Sequence, residues 1–373
     1  MISKQKHLKY IRTDDSITKA KEIINNERSG KQYGLLSRFK SLNRAVGKYF
    51  RFKNTYFKCG RSGSGKSALS NMLRTDFLNI ADTVFTNTEF IYLGDHHTVI
   101  PSGRYAGCKY YPHSRMIVNH DGTYHIPAIN RRCEYNVLVV NVGPEMPPET
   151  ELIRNASSIV GKSYMNILSS EYDYEAQEYT LLNDDDYACI EEALDSMQGR
   201  KEYYIPVSGT LEQLSNSIDI IANANPNHKI VICIDHTLLL KRLPGQSESD
   251  HMESFGMWAI DTRDKYEAMI IPLSQFNNEI EKPERKKPAA HYPIKADIHY
   301  GSKVWWAADF AILWNRPEML GITAYGPEGL VTTDLIHGRI AKGRNSGIGN
   351  IWLRADFEYG RILEVKKGYF KAA

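Results

Sequence analysis

At 373 residues the chain is long enough for one large or two ordinary domains with a substantial buried core. Lys+Arg 47 against Asp+Glu 44 leaves a formal charge of +3 with 42% hydrophobic residues, so any surface for nucleic acid must be local and not chain-wide. Five scattered cysteines (Cys59, Cys108, Cys133, Cys189, Cys233) suit a reducing cytoplasm, the opening MISKQKHLKYIRTDDS has no apolar core for a signal peptide, and no apolar run approaches a membrane helix. The expected location is the cytoplasm, away from membranes.

In chain order, Ile17, Ala20, Ile23 and Ile24 stand at helical spacing behind Asp14 and Asp15, which predicts a short amphipathic helix over Ser16 to Asn26. A basic and aromatic stretch then ends in an alternating run, Tyr56 to Cys59, read as a strand feeding the glycine-rich GRSGSGKS. Ala68 to Asn79 continues as a helix with Leu69, Met72 and Leu73 on one face. Apolar runs at Tyr135 to Val142, Ile230 to Asp235, Met269 to Leu273 and Phe310 to Trp314 read as strands. Helical patterns lie between them, such as Tyr187, Ile190, Leu194 and Met197. Continuous apolar strands alternating with helices predict an α/β fold whose mostly parallel sheet is covered on both faces. Two stretches depart from that pattern: residues 80 to 134, rich in Tyr, His and Gly, and the lysine-rich residues 277 to 303.

Gly60 through Ser67 fits the spacing in which backbone N–H groups cradle phosphates, so Gly60, Arg61, Ser62, Gly63, Ser64, Gly65, Lys66, Ser67 and Ala68 are the expected nucleotide loop. Lys66 would reach the β- and γ-phosphates and Ser67 would hold Mg²⁺, making ATP and Mg²⁺ the expected ligands. A carboxylate ending another strand is needed beside the magnesium, and Asp235 closes HKIVICID; a buried strand can also simply end in a capping Asp. Glu145, beyond the strand VLVVNV, is a candidate to activate the attacking water, and equally a helix-start acid before Pro147. Gln275 ends a further strand, where an amide would sense the γ-phosphate or serve as an ordinary buried hydrogen-bonding group. Lys342 and Arg344 lie in a glycine-rich turn between two strands; such tips are usually just solvated, yet a rigid pair there would also suit an arginine finger.

Taken together, GRSGSGKS, PEMPPE, VICIDHTLLL, IPLSQFNN and IAKGRNSGIG resemble, in this order, the RecA-like ATPase motor domain of the DnaB-type replicative helicases. The likeness runs in patches from about Tyr33 to about Val365 and is interrupted at residues 76 to 134. It implies an N-terminal segment, residues 1 to 32, whose helix resembles the family's linker, and a RecA-like domain at 33 to 373 carrying a β-rich insertion. It also implies that Glu145 is the catalytic glutamate, Asp235 the strand-ending Asp, Gln275 the phosphate sensor, and Lys342 and Arg344 the pair inserted into a neighbouring subunit's ATP site. Asp184, Asp185 and Asp186 then match the family's acidic helix start. The partners it implies are single-stranded DNA, further copies forming a ring of hexameric type, and primase or loader proteins. The absence of the family's N-terminal helical domain suggests a phage or mobile-element form. The sequence departs from the family at DIHYGS, Asp297 to Ser302, where His299 and Tyr300 replace an Arg and a Glu, and at Asn277-Asn278, where an arginine is usual.

Lys282, Arg285, Lys286, Lys287, Lys295 and Lys303, interleaved with His291, Tyr292 and Tyr300, are the expected DNA-binding residues, since a basic loop with aromatics can track phosphates and stack bases. The plainer alternative is a solvated loop. Cys108, His113, His120, His125 and Cys133 share one short stretch but lack a paired C-x₂-C or H-x₃-H element, so a tyrosine-rich β-hairpin is preferred over a zinc site. The leading expectation is thus an ATP-driven helicase or translocase working on single-stranded DNA as a ring. A RecA-like ATPase without unwinding activity, such as a recombination mediator or regulatory ATPase, is the alternative, and a non-hydrolysing P-loop scaffold a third.

Overall fold

The computed structural model describes residues 12–371 except 87–90, 92, 95, 113, 144–145, 169–170, 174, 176, 181, 288–289, 301–302, 304 and 345. The predicted glutamate, Glu145, and one candidate zinc ligand, His113, therefore lie outside the described residues.

The chain begins with helix α1, Thr13–Arg28, which buries none of its residues and leaves Ile17, Ile23 and Ile24 about half exposed. A short helix, α2, spans Lys40–Ala45. Strand β1, Tyr56–Gly60, delivers the chain to the glycine loop, and helix α3, Lys66–Leu78, leaves it. Within residues 83–126 five short strands follow: β2 Thr83–Phe85, β3 Thr98–Val99, β4 Lys109–Tyr111, β5 Met116–Val118 and β6 Tyr124–Ile126. They pair antiparallel in the order β2-β6-β5-β4-β3, a small sheet in place of the single hairpin expected. Strands of two or three residues are too short to show a period-2 pattern.

The second half supplies β7 Asn136–Val142, helix α4 Pro148–Val160, helix α5 Asp184–Asp195 and β8 Glu202–Ile205. Helix α6, Leu211–Ala224, β9 His228–Ile234, helix α7 Glu248–Tyr266 and β10 Met269–Gln275 come next. The chain ends through β11 Phe310–Asn315, β12 Leu335–Gly343, β13 Gly349–Asp356 and β14 Arg361–Glu364. One nine-stranded sheet runs β8-β7-β9-β10-β1-β11-β12-β13-β14; the first six strands are parallel and the last three alternate antiparallel.

Both faces of this sheet are buried, which explains why its strands read as unbroken apolar runs. Phe57, Leu138, Val140 and Ile232 point into one core cluster, while Tyr56, Val137, Val139 and Val231 point into the other with Leu69, Met72 and Leu73 of α3. The small sheet has a third cluster, in which Phe85 and Met116 pack on Ala156 and Val160 of α4 and on Ile190 and Ala193 of α5. At the start of α5 the Asn183 side chain caps the Asp186 N–H at 2.8 Å, so the three aspartates occupy the first turn. No helix among the described residues is long and apolar enough to cross a membrane.

Candidate functional site

Strand β1 is the centre of the parallel sheet, and the loop after it opens at the carboxyl ends of its neighbours, where ligands bind in open α/β sheets. The glycines fit a phosphate cradle sterically. A methyl group on Gly60 would lie 2.4 Å from the Trp314 carbonyl oxygen, Gly63 and Gly65 have φ of 73° and 86°, and a methyl group on Gly65 would lie 2.4 Å from Phe357 Cζ. The loop is braced by Ser64 Oγ donating to the Arg61 carbonyl at 2.7 Å and by Trp314 Nε1 donating to the Ser64 carbonyl at 2.8 Å. The first N–H groups of α3 have no partner within the helix and face the loop, an anion site by construction.

A cavity of about 610 Å³ lies here, lined by Lys66, Ser67, Asp235 and Gln275 together with Glu151 and Phe357. Residues distant in sequence are thereby brought together: the nucleotide loop, the end of β9 and the end of β10. The Lys66 ammonium donates to the Arg61 carbonyl at 2.6 Å. The hydroxyl of Ser67 at the helix start and the Asp235 carboxylate form an oxygen donor set of the type Mg²⁺ takes. Among the described residues no group of three or more His, Cys, Asp or Glu side chains is placed to hold a metal by itself.

Two features of this site were not anticipated. Lys58, in the middle of β1, is 2% exposed and donates from Nζ to the Lys66 carbonyl at 2.5 Å. Burial pulls its ammonium down to about 7, opposed by the neighbouring Asp235 carboxylate. Arg74 of α3, also 2% exposed, forms ion pairs with Glu151 of α4 and, at 3.0 Å, with Glu202 of β8. Asn141 of β7 donates to Glu151 at 2.9 Å, and burial raises the Glu151 carboxyl. The signal for both was available: a lysine within an apolar strand, and an arginine one turn beyond Ser70 on the buried face of α3.

Lys342 and Arg344 are elsewhere. Lys342, near the end of β12, donates to the Trp305 carbonyl at 2.5 Å, and burial lowers its ammonium. Arg344, just past β12, pairs with Asp309 at 2.8 Å and is 57% exposed in its side chain. Asp309 in turn accepts from the Thr55 N–H at 2.9 Å and pairs with Arg263. Thr55 precedes β1, whereas the nucleotide loop follows it. Arg344 therefore sits at the opposite end of the sheet from Lys66 of its own chain, about 13 Å of strand away at roughly 3.3 Å per residue.

In the basic segment the six expected residues divide. Arg285 is turned inward, forming a bidentate pair with the buried Asp297 and donating to the carbonyls of Ala290 and Tyr292. Its guanidinium closes a loop, which is not the free phosphate contact expected of it. Lys282 pairs with Glu279, Lys303 with Glu253, and Lys295 lies 5.1 Å from the Trp305 ring centre. Lys286 and Lys287 are exposed. His299 and Tyr300 both turn to Glu248, the tyrosine hydroxyl at 3.0 Å. Arg61 of the nucleotide loop reaches this same segment, donating to Asn278 at 3.0 Å and pairing with Glu281. Of the Cys and His residues in the insertion, Cys108 is buried, Cys133 half-buried, and His125 is 2% exposed against the Tyr105 ring.

No family model and no curated protein matches the sequence. Solved structures do. An ATPase domain from one DnaB-like replicative helicase superposes with a TM-score of 0.69 over 96% of this chain and 100% of that one, at 14% identity. A second DnaB-like replicative helicase, solved for its interactions with primase, superposes with a TM-score of 0.67 over 96% of this chain and 68% of that one, also at 14% identity. The chain has the RecA-like fold of the DnaB-like replicative helicase ATPase domains.

Proposed function

We propose that this chain is an ATP-dependent helicase or translocase that moves on single-stranded DNA as a ring and hydrolyses ATP between subunits. The observation that carries this reading is the division of the catalytic set. Lys66, Ser67, Asp235 and Gln275 share one cavity, while Arg344 stands exposed at the other end of the same sheet. An arginine so placed meets a γ-phosphate only in another copy of the chain.

The loop amides and Lys66 bind the phosphates, and Ser67 with Asp235 holds Mg²⁺, which supplies charge neutralisation at the phosphates. Glu145 orients and deprotonates the attacking water, with the Arg74–Glu151 pair fixing α4 just downstream of it. Gln275 reads the γ-phosphate, and a neighbour's Arg344 and Lys342 stabilise the charge that develops on it. Arg61, held by Asn278 and Glu281, ties the nucleotide loop to the segment carrying Lys286 and Lys287, which follow the DNA backbone. The exposed isoleucines of α1 suit docking on an adjacent subunit, as a linker helix would. Primase or a loader would join such an assembly, in the cytoplasm of a bacterial cell.

The test is strand displacement on a forked duplex together with ATP hydrolysis with and without oligo-dT. Unwinding with stimulated turnover supports the reading; robust turnover that ignores DNA, without unwinding, assigns the chain to the non-unwinding RecA-like ATPases. The inward folding of Arg285, His299 and Tyr300 is the feature that favours this second reading.

A further inference from the structure

A second cavity, of about 760 Å³, lies between the small antiparallel sheet and the far edge of the large one. Five cationic side chains line it: Arg38, Lys40, Arg115, Arg354 and Arg361. Among the described residues three carboxylates serve them, and each is already committed. Asp76, fully buried on α3, accepts both Arg38 at 2.7 Å and Arg115 at 3.6 Å. Asp356 pairs with Arg361 at 3.0 Å. Glu364 accepts from the backbone N–H groups of Lys40, at 2.9 Å, and of Ser41. Arg354 donates to the Tyr369 hydroxyl, a neutral group, at 3.1 Å. Five cations against three carboxylates leaves two positive charges in excess around a largely enclosed space.

The shortage is felt most at Arg115, which burial and then the neighbouring Arg38 hold down to about 10. Arg115 is presented from the turn between β4 and β5 with φ of 62°, a left-handed backbone that a residue with a side chain adopts at a cost. Tyr110 and Tyr369 add aromatic surface to the same walls. Guanidinium groups present planar forks of donors that match phosphate oxygens, and the volume is that of a small-ligand pocket.

We propose that this cavity binds a phosphorylated small molecule of nucleoside-diphosphate size, at a site separate from the nucleotide loop. The phosphates lie between Arg38, Arg115 and Arg354, where they supply the missing negative charge. Met72 and Asp76, which border the site, belong to the helix that begins at Lys66, so the ligand also rests on the frame of the ATP site.

Equilibrium dialysis of the full chain with labelled ADP tests this, with inorganic pyrophosphate and oligo-dT as competitors. Wild type is expected to bind two equivalents per chain. Lys66→Ala loses one, while Arg354→Gln and Arg115→Gln weaken the other at least roughly tenfold, the loss of about 1.4 kcal/mol of binding. Arg354 pairs with no carboxylate among the described residues, so Arg354→Gln keeps the fold intact even if Arg115→Gln does not. Equal displacement of that equivalent by pyrophosphate assigns recognition to the phosphates alone, and preference for ADP adds the nucleoside. A single equivalent in wild type, a second equivalent that Arg354→Gln leaves unchanged, or displacement by oligo-dT only would overturn the proposal. Because Lys66→Ala and Arg354→Gln act on different equivalents, failure here is distinguishable from failure of the helicase reading.

Discussion

Replacing Lys58 by methionine makes the ground under the nucleotide loop a measurable quantity. Lys58 is fully enclosed, and its proton affinity falls from the ordinary 10.5 to about 7 on folding, chiefly through burial. Between those values the unfolded chain holds a proton that the folded chain has released, so stability rises with pH across this window. At about 1.4 kcal/mol per pH unit, the burden of Lys58 is about 4 kcal/mol at pH 7 and under about 1 kcal/mol at pH 10. Against it stands the hydrogen bond to the Lys66 carbonyl, whose loss leaves a buried acceptor at a cost of about 1–3 kcal/mol. Lys58→Met should therefore be more stable than wild type by about 1–3 kcal/mol at pH 7 and less stable by up to about 2 kcal/mol at pH 10. Urea unfolding of both proteins at several pH values between 7 and 10 reads the difference, in which all other titrating groups cancel. Parallel profiles would refute the reasoning, because they would mean that Lys58 keeps its proton when the chain folds.

Three further outcomes follow from the site. Gly65→Ala combines a left-handed backbone, about 1–2 kcal/mol for a residue with Cβ, with a clash on Phe357, and should weaken ATP binding at least tenfold in a fluorescence titration; adding Phe357→Ala restores only part of the loss. Arg74→Ala strands Glu151 and Glu202 in the interior and should lower the unfolding free energy by about 3–5 kcal/mol, seen as a reduced denaturant midpoint. Lys286→Gln with Lys287→Gln should weaken oligo-dT binding and flatten its log–log salt dependence by about 1.4, at roughly 0.7 per single-strand phosphate; unchanged binding across a salt titration removes these lysines from the DNA path.

The parts of this fold that repeat a simple physical pattern were readable in the sequence. β7, β9, β10 and β11 announce themselves as apolar runs because both faces of the sheet are buried. The glycine loop is visible because a phosphate cradle tolerates little else at Gly60 and Gly65. The gathering of Asp235 and Gln275 beside Lys66 follows from their shared place at strand ends. What the sequence hid depends on register and on pairing. That Arg344 faces away from its own nucleotide loop requires knowing that β12 runs antiparallel to β11, with Phe310 opposite Gly343. That Arg285 belongs to Asp297 requires a loop closure twelve residues long, which composition cannot encode. The strands of the insertion carry too few residues for any periodicity, and its cationic cavity exists only where they meet the edge of the larger sheet.

A catalytic site divided between copies of the chain is tested most directly by mixing two disabled variants. Lys66→Ala lacks the phosphate-binding cation and Arg344→Ala lacks the cation offered to a neighbour, so each alone should show little oligo-dT-stimulated ATP hydrolysis, with nucleotide binding retained in Arg344→Ala. Mixed assemblies contain interfaces in which an intact Lys66 faces an intact Arg344, and turnover should recover to a clear fraction of wild type, rising to a maximum near equal proportions. Turnover near wild type in Arg344→Ala alone, or no recovery at any mixing ratio, would contradict the account.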